Sequence, residues 1–427
     1  MRILLTGATG FVGGAICRCL LDAGHQVRAV ARRIPCGPEQ AGLEWVEGDF
    51  ARDLDSDAWL DRVRGVDAVV NAVGIIRECG GNTFAALHTG APIALFQACV
   101  EEGVRRVVQI SAMGVAHPGS EIPYQTSKLA ADEWLTSSGL KHTILRPSLV
   151  QGEGGESFGL FCELACLPIV PILGKGDYAM RPLQVEDLAR AVRVALESET
   201  MPQGCFDVGG SQVTTLAEML LQMRAWLGHR AGGPCLHIPR AIVGQVARLG
   251  DSIPAVPIDS HTWKMLQQGS AAPITRFEEA FEFTPTGLAE HLARTTATPG
   301  VRWKARLGPY QTPIRLLVAS VWLITPIVSL VGWQDSLRLL SSSGAQGALA
   351  PVLLIASCAF EFILAGALIL GRFVRLVGWI QIILLLLFTL ILSATQADLW
   401  LHPFGPLSKN LPLIAATLAM IAMADPE

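Results

Sequence analysis

Met1-Arg2-Ile3-Leu4-Leu5-Thr6-Gly7-Ala8-Thr9-Gly10-Phe11-Val12-Gly13 is the stretch that decides the fold. An apolar run breaks into glycines spaced GxxGxxG and resumes as Ala15-Ile16-Cys17-Arg18-Cys19-Leu20-Leu21, the pattern of strand, tight turn and helix. Glycine at positions 7, 10 and 13 lets backbone approach a pyrophosphate and lets helix pack on strand, while free amides at the helix start meet the negative charge. The stretch predicts a dinucleotide cofactor.

A second apolar strand, Val27 to Ala31, ends in Arg32-Arg33. In a dinucleotide site the end of that strand faces the adenosine ribose, where an acid binds the 2′-hydroxyl and an arginine accepts a 2′-phosphate. Two arginines and no acid favour NADP(H) over NAD(H); a solvated basic loop leading into Pro35 is the plainer alternative.

Further apolar strands return at Leu43 to Val46, Val66 to Val70, Val104 to Ile110 and Leu140 to Leu145, with helical patterns between them. Such alternation predicts an α/β fold: a Rossmann-type doubly wound parallel sheet, with the cofactor across the carboxyl ends of its strands. Asp49 after the third strand can reach the adenine edge, or cap a turn. Asn71-Ala72-Val73-Gly74 after the fourth can lie along the nicotinamide-side ribose and phosphates, unless Asn71 instead ties the sheet.

The fifth strand ends at Ile110-Ser111, and thirteen residues later comes Tyr124-Gln-Thr-Ser-Lys128. Residues four apart share a helix face, so phenol and ammonium point at one site. A nearby ammonium lowers a tyrosine pKa and makes the phenol a better proton donor to a carbonyl. With three tyrosines and six lysines in the chain, this spacing arises by chance in only about 4% of shuffled sequences. Tyr124 is therefore the expected general acid or base, with Ser111 placed to hydrogen-bond a substrate oxygen.

Taken together, the glycine loop, Ser111 and Tyr-x-x-x-Lys resemble the short-chain dehydrogenase/reductase superfamily. The GxxGxxG spacing and Leu145-Arg146-Pro147-Ser148-Leu149-Val150-Gln151-Gly152 are similar to its extended and atypical branches, including the group like a respiratory complex I accessory subunit. The resemblance covers about residues 1 to 300. It implies that Gly7, Thr9, Gly10, Phe11, Val12 and Gly13 hold the pyrophosphate and Asp49 the adenine. It further implies that Tyr124, Lys128 and Ser111 are catalytic, Lys128 also gripping the nicotinamide ribose, and that Pro147 to Val150 flank the nicotinamide. Where many relatives carry paired small hydroxyl residues after the fifth strand, this chain has Ser111-Ala112.

Of 33 basic and 37 acidic residues, only five of each lie from Thr312 onward. The net charge of −4 thus belongs to the front part and implies no nucleic-acid surface. Ten scattered cysteines show no metal spacing and no cleavable signal precedes the first strand, so reduced thiols, no metal and a cytoplasmic nucleotide domain are expected. Four apolar segments follow, at about 313 to 333, 349 to 371, 373 to 395 and 410 to 424, the first three of spanning length. They predict an all-α four-helix transmembrane bundle over 312–427, joined by a linker over 301–311. Lys304, Arg306, Arg315, Arg372 and Arg375 place the short turn near 372 and both termini in the cytoplasm, in an inner-membrane protein. Glu361 stands mid-span, where a charge usually faces a partner or polar cavity. The segment His402-Pro403-Phe404-Gly405-Pro406-Leu407-Ser408-Lys409-Asn410 makes this part similar to DoxX-like membrane proteins.

The sequence thus reads as a membrane-anchored NAD(P)(H)-dependent oxidoreductase, or related dehydratase or epimerase, acting on a small and lipophilic substrate. Its rival is a non-catalytic NAD(P)H-binding sensor or assembly factor with a protein partner in the membrane.

Overall fold

A computed structural model describes the chain except residues 39, 118, 231, 254, 255, 343, 346, 404 and 425–427. Phe404 of the DoxX-like segment and the carboxyl-terminal residues assigned to the cytoplasm therefore lie outside the described residues. The chain divides into two units, Met1–Arg302 and Trp303–Glu427.

The first unit is built on seven strands: β1 Arg2–Thr6, β2 Gln26–Ala31, β3 Leu43–Glu47, β4 Ala68–Asn71, β5 Arg106–Ile110, β6 His142–Pro147 and β7 Gly204–Val208. Their order is β7-β6-β5-β4-β1-β2-β3, every pair parallel. Parallel strands need helical crossovers on both faces, which is why the central strands are apolar throughout rather than alternating. Ile3, Leu4, Leu5, Val69 and Val70 are fully buried. One face packs α1 (Phe11–Asp22) and the helix Val185–Glu197, with Phe277 and Phe281 closing that layer. The other packs α2 (Asp57–Val63), α3 (Ala91–Glu101) and α4 (Pro123–Ser137) around Trp59 and Phe96.

This order fixes where a ligand can sit. The chain leaves β1 toward β2 and β3, then returns to β4 on the other side, so the crossovers on either side of β1 diverge at its carboxyl end. The resulting crevice lies at the topological switch point, between the glycine loop after β1 and residues 72–74 after β4.

In the second unit three helices are long and apolar enough to cross a membrane: Pro299–Val331, Leu349–Ile369 and Val374–Thr395. Their inward residues Val318, Ala319, Trp322, Leu364, Ala365, Leu368, Val377 and Leu385 form one cluster with Met420. Val331, Ile363, Leu370, Ile383 and Leu390 stand exposed, as lipid-facing side chains do. Gly378 lets Asn410–Met423 approach closely, because a Cβ there would lie 2.6 Å from Ile421 Cγ1.

Three expectations need correction here. Asn410–Met423 has only 14 residues, about 21 Å at 1.5 Å per residue, short of a hydrocarbon core of roughly 30 Å, so the structure offers three candidate spans and a shorter apolar helix rather than four spans. Residues 301–311, expected as a linker, are helical, within Pro299–Val331, and the division between the two units falls among them. Thr298 and Pro299 form a helix start: Thr298 Oγ1 accepts from the Val301 amide at 3.3 Å, and proline in the first turn has no N–H to leave unpaired. Residues 334–348, expected as the loop between the first two apolar segments, are helical as far as Ser342, in Trp333–Ser342.

Candidate active site

α1 begins at Gly10 with no side chain capping its amides and no acid in its first turn. The positive end of the helix dipole is therefore open toward the crevice. The glycines are required by sterics. Gly7 has φ +73°, and a Cβ on it would lie 2.8 Å from the Ala72 carbonyl oxygen. A Cβ on Gly13 would run into the Gly7 carbonyl itself. The Gly10 amide donates to Gly7 O at 2.9 Å, which closes the turn. These features fit a pyrophosphate between the Gly7–Gly13 backbone and residues 72–74, with Thr9, Phe11 and Val12 in the same turn. Phe11 also supports the far wall: its ring underlies Gly152 and Gly155. Pro147 ends β6, and Val150 opens a two-residue strand pairing with Leu183–Gln184.

Arg32 and Arg33 follow β2 and are exposed. Asp49 is a turn residue, its Oδ1 accepting from the Ala51 amide at 3.0 Å and its Oδ2 lying 3.6 Å from Arg52. The Asn71 side chain is fully buried, accepts from Thr6 Oγ1 at 2.6 Å and donates to Gln109 Oε1 at 2.8 Å. It ties β1, β4 and β5 together, which is the second of the two readings the sequence left open for it.

Tyr124 and Lys128 stand on one face of α4, as their spacing requires, with Lys128 Nζ 5.9 Å from the Tyr124 ring centre. Lys128 donates to the Ile110 carbonyl at 3.1 Å. Gly74 leaves room for it: a Cβ there would lie 3.3 Å from Nζ. Burial pulls the Lys128 ammonium down to about 8, opposed by the Asp132 carboxylate one turn on. The Tyr124 phenol is not lowered as its neighbour suggested; burial pushes it up to about 12. Desolvation outweighs the ammonium because Lys128 lies over the ring while donating to backbone.

Ser111 is turned from the role expected of it. It is buried, and its hydroxyl donates to Asp132 Oδ2 at 2.8 Å. Arg146 reaches the same oxygen through Nε at 3.1 Å and Nη2 at 3.0 Å. Burial raises the Asp132 carboxyl, and Arg146 and Ser111 draw it back.

Two residues that sequence reading passed over complete the site. Asp132 sits one turn beyond Lys128 and was available to an i, i+4 search. His88 was not, because it lies on a wide helical turn, Ala85–Gly90, that precedes α3. Pro92, near the start of α3, lacks the N–H that an ordinary turn would aim at the His88 carbonyl. His88 Nε2 accepts from the Ile75 amide at 3.1 Å, so the proton sits on Nδ1, which lies 3.1 Å from Ser127 Oγ. Its ring meets Tyr124 edge-on at 5.4 Å, and Phe84 does the same at 6.0 Å. Burial, then Lys128, pull His88 down to about 2, so it stays neutral.

The segment 256–272 closes over these groups. Asp259 pairs with Arg77 at 2.7 Å, Gln268 accepts from Gln125 at 2.9 Å, and Ser270 accepts from Ser148 at 2.7 Å. Arg181 and Arg240 have partners within this unit. Arg181 donates to the Gly210 and Ser211 carbonyls, and Arg240 lies over Tyr178.

A sequence model of NAD(P)H-binding domains matches residues 7–160, and one of the DoxX-like family matches 319–418. A (4-alkanoyl-5-oxo-2,5-dihydrofuran-3-yl)methyl phosphate reductase of Streptomyces griseus is 31% identical over 53% of this chain and 74% of its own length. The chain belongs to the short-chain dehydrogenase/reductase superfamily. A 2-alkyl-3-oxoalkanoate reductase of Stenotrophomonas maltophilia is 26% identical over 65% of this chain and 88% of its own. Two further relatives are matched over only 58% and 49% of their length. Among solved structures, a dTDP-glucose 4,6-dehydratase from Streptomyces venezuelae superposes with a TM-score of 0.54 at 21% identity, covering 71% of this chain and 96% of that one, and shares the fold. This reductase-type unit is fused to a DoxX-like second unit. Among the described residues no cluster of His, Cys, Asp and Glu is arranged to hold a metal ion.

A pH profile checks Lys128. Its proton leaves as pH rises through about 8, so activity and nucleotide affinity should fall on that alkaline side. No limb is expected near 6.5, because His88 is already neutral there. A rise in both quantities across pH 8 would show that Lys128 does not act as the ammonium.

Proposed function

We propose that this protein is a membrane-anchored, NADP(H)-dependent oxidoreductase that acts on the carbonyl or alcohol of a lipophilic substrate. The observation that carries the reading is the Tyr124–Lys128 face of α4, set beside Gly74 and the end of β5. A bound nicotinamide supplies or takes the hydride. The phenol, held protonated well above neutral pH, is the proton donor to a carbonyl oxygen during reduction and takes the proton back in oxidation. Lys128 stabilises the phenolate left behind and reaches the ribose side of the crevice. Asp132, clamped by Arg146 and Ser111, keeps an anion one turn from Lys128 and so favours its charged form.

Three observations support the finer points. Arg32 and Arg33 stand exposed after β2, with no acid between them and the strand, which favours a 2′-phosphate. Both named relatives are reductases whose substrates carry alkyl or alkanoyl chains. Basic residues flanking the candidate spans favour a cytoplasmic nucleotide unit at an inner membrane.

A second reading, a nucleotide sensor acting on a membrane partner, is favoured by one feature. The Ser111 hydroxyl is committed to Asp132, and Ala112 beside it has none. NADPH oxidation by the full chain in nanodiscs, supplied with 3-oxoacyl compounds of increasing chain length, separates the two. Turnover that rises with chain length supports the enzyme; nucleotide binding without turnover on any of them supports the sensor. For the cofactor, Arg32→Asp is expected to weaken NADPH about tenfold and to favour NADH, as loss of a charge-assisted contact implies. Calorimetric titration of both nucleotides checks it, and unchanged preference would return Arg32 to the solvated loop.

A further inference from the structure

The helix Arg240–Gly250 turns an apolar face outward. Ile242, Val246 and Leu249, with Ile253 in the turn just past the helix, recur at helical spacing and are 40–57% exposed, while Val243, Ala247 and Gly250 take the buried side. Leu236, on the short strand that leads into this helix, is exposed as well. An exposed stripe of this kind on an otherwise charged unit marks a contact surface. The helix carries Arg240 and Arg248 and no acid. The nearest carboxylate along the chain, Asp251, is turned to the Ser260 amide and hydroxyl. Arg240 remains half exposed, with its guanidinium over the Tyr178 ring and 3.8 Å from Asp177.

We propose that this face rests in the headgroup region of an anionic bilayer, with Ile242, Val246, Leu249 and Ile253 in the acyl boundary and Arg240 and Arg248 among the phosphates. Apolar side chains along one face of a helix that carries two arginines elsewhere and no acid are the composition of an interfacial helix. The same chain carries three helices able to cross a membrane, so lipid is the partner continuously present at high effective concentration. The face also backs the substrate cap. Gly250 packs against the Ile258 carbonyl, and the following helix, Ser260–Gln268, carries the Gln268 contact to Gln125 on α4. A lipid-seated helix at that place opens a route from acyl chains to the crevice without passage through water.

Photocrosslinking of the full-length chain tests this independently of any activity. Val246→p-benzoylphenylalanine, in vesicles of phosphatidylcholine with phosphatidylglycerol, should give a lipid adduct on the peptide containing residue 246. Glu133→p-benzoylphenylalanine, on exposed polar surface of α4, should give none. Arg248→Glu in the Val246 variant should cut the adduct at least about fivefold, the effect of losing one basic residue at an anionic surface, with the added carboxylate working in the same direction. Unchanged nucleotide affinity of each variant would show that its fold is intact. Adducts to a second copy of the chain, absence of a lipid adduct at 246, equal adducts at 133, or indifference to Arg248→Glu would each overturn the proposal.

Discussion

Tyr124→Phe lowers turnover by about 10²- to 10⁴-fold while nucleotide affinity stays within about twofold, the signature of a lost general acid. The phenol is the group on the Lys128 face of α4 assigned the proton transfer. Lys128 is engaged by the Ile110 carbonyl, and His88 holds its single proton toward Ser127. Removing one oxygen leaves the ring, its edge contacts with His88 and Phe84, and the Lys128 position in place. Single-turnover kinetics beside a binding titration check the split. If the variant matched wild type in turnover, the proton would have to come from elsewhere and the assignment would fall. If affinity collapsed with activity, Tyr124 would be a structural residue.

The second large effect is expected from Gly13→Ala. The added carbon meets the Gly7 carbonyl, backbone against backbone, so no side chain can give way and α1 must move off β1. Overpacking of this kind costs about 1–3 kcal/mol, and this case belongs at the upper end. The displaced amides would also lose the pyrophosphate, and affinity for either nucleotide should drop by about 100-fold. Gly14→Ala is the control one residue on. There the nearest atom is Ala8 O at 3.5 Å, an ordinary contact. With alanine the better helix former, that variant is expected to gain roughly 0.5–1 kcal/mol. Thermal unfolding and nucleotide titration of the two variants read out opposite signs. Equal behaviour would mean that the loop does not hold the cofactor by its backbone.

What could be read from sequence was what local rules dictate. GxxGxxG after an apolar run, and a phenol four residues before an ammonium, are constraints of backbone and helix geometry, and the structure places both where those rules put them. The first six sheet strands were legible as apolar runs, with ends shifted by up to two residues where loop and strand share apolar residues, as at Val66 and Leu140. What was not legible depends on partners far along the chain. Ser111 meets Asp132 across 21 residues and Asn71 meets Gln109 across 38, so neither commitment shows in a local window. The tyrosine pKa failed for the same reason: helical spacing brings the ammonium near, but burial by surrounding elements sets the direction. Residues 301–311 were read as a linker because the Thr/Pro-bearing stretch before them, Thr295 to Pro299, looks like a break, whereas Pro299 at the first turn marks a helix start.

The position of the strands along the chain bears on how the molecule is made. β7 ends at Val208, and the first apolar helix does not begin until Pro299, so every strand of the central sheet has been synthesised some ninety residues before a hydrophobic span follows. At roughly 5–20 residues per second, that interval is several seconds or more, long enough for the parallel sheet to assemble while the nascent chain is still soluble. Translation order thus lets the cofactor-binding half mature first, and membrane insertion then tethers a finished globule.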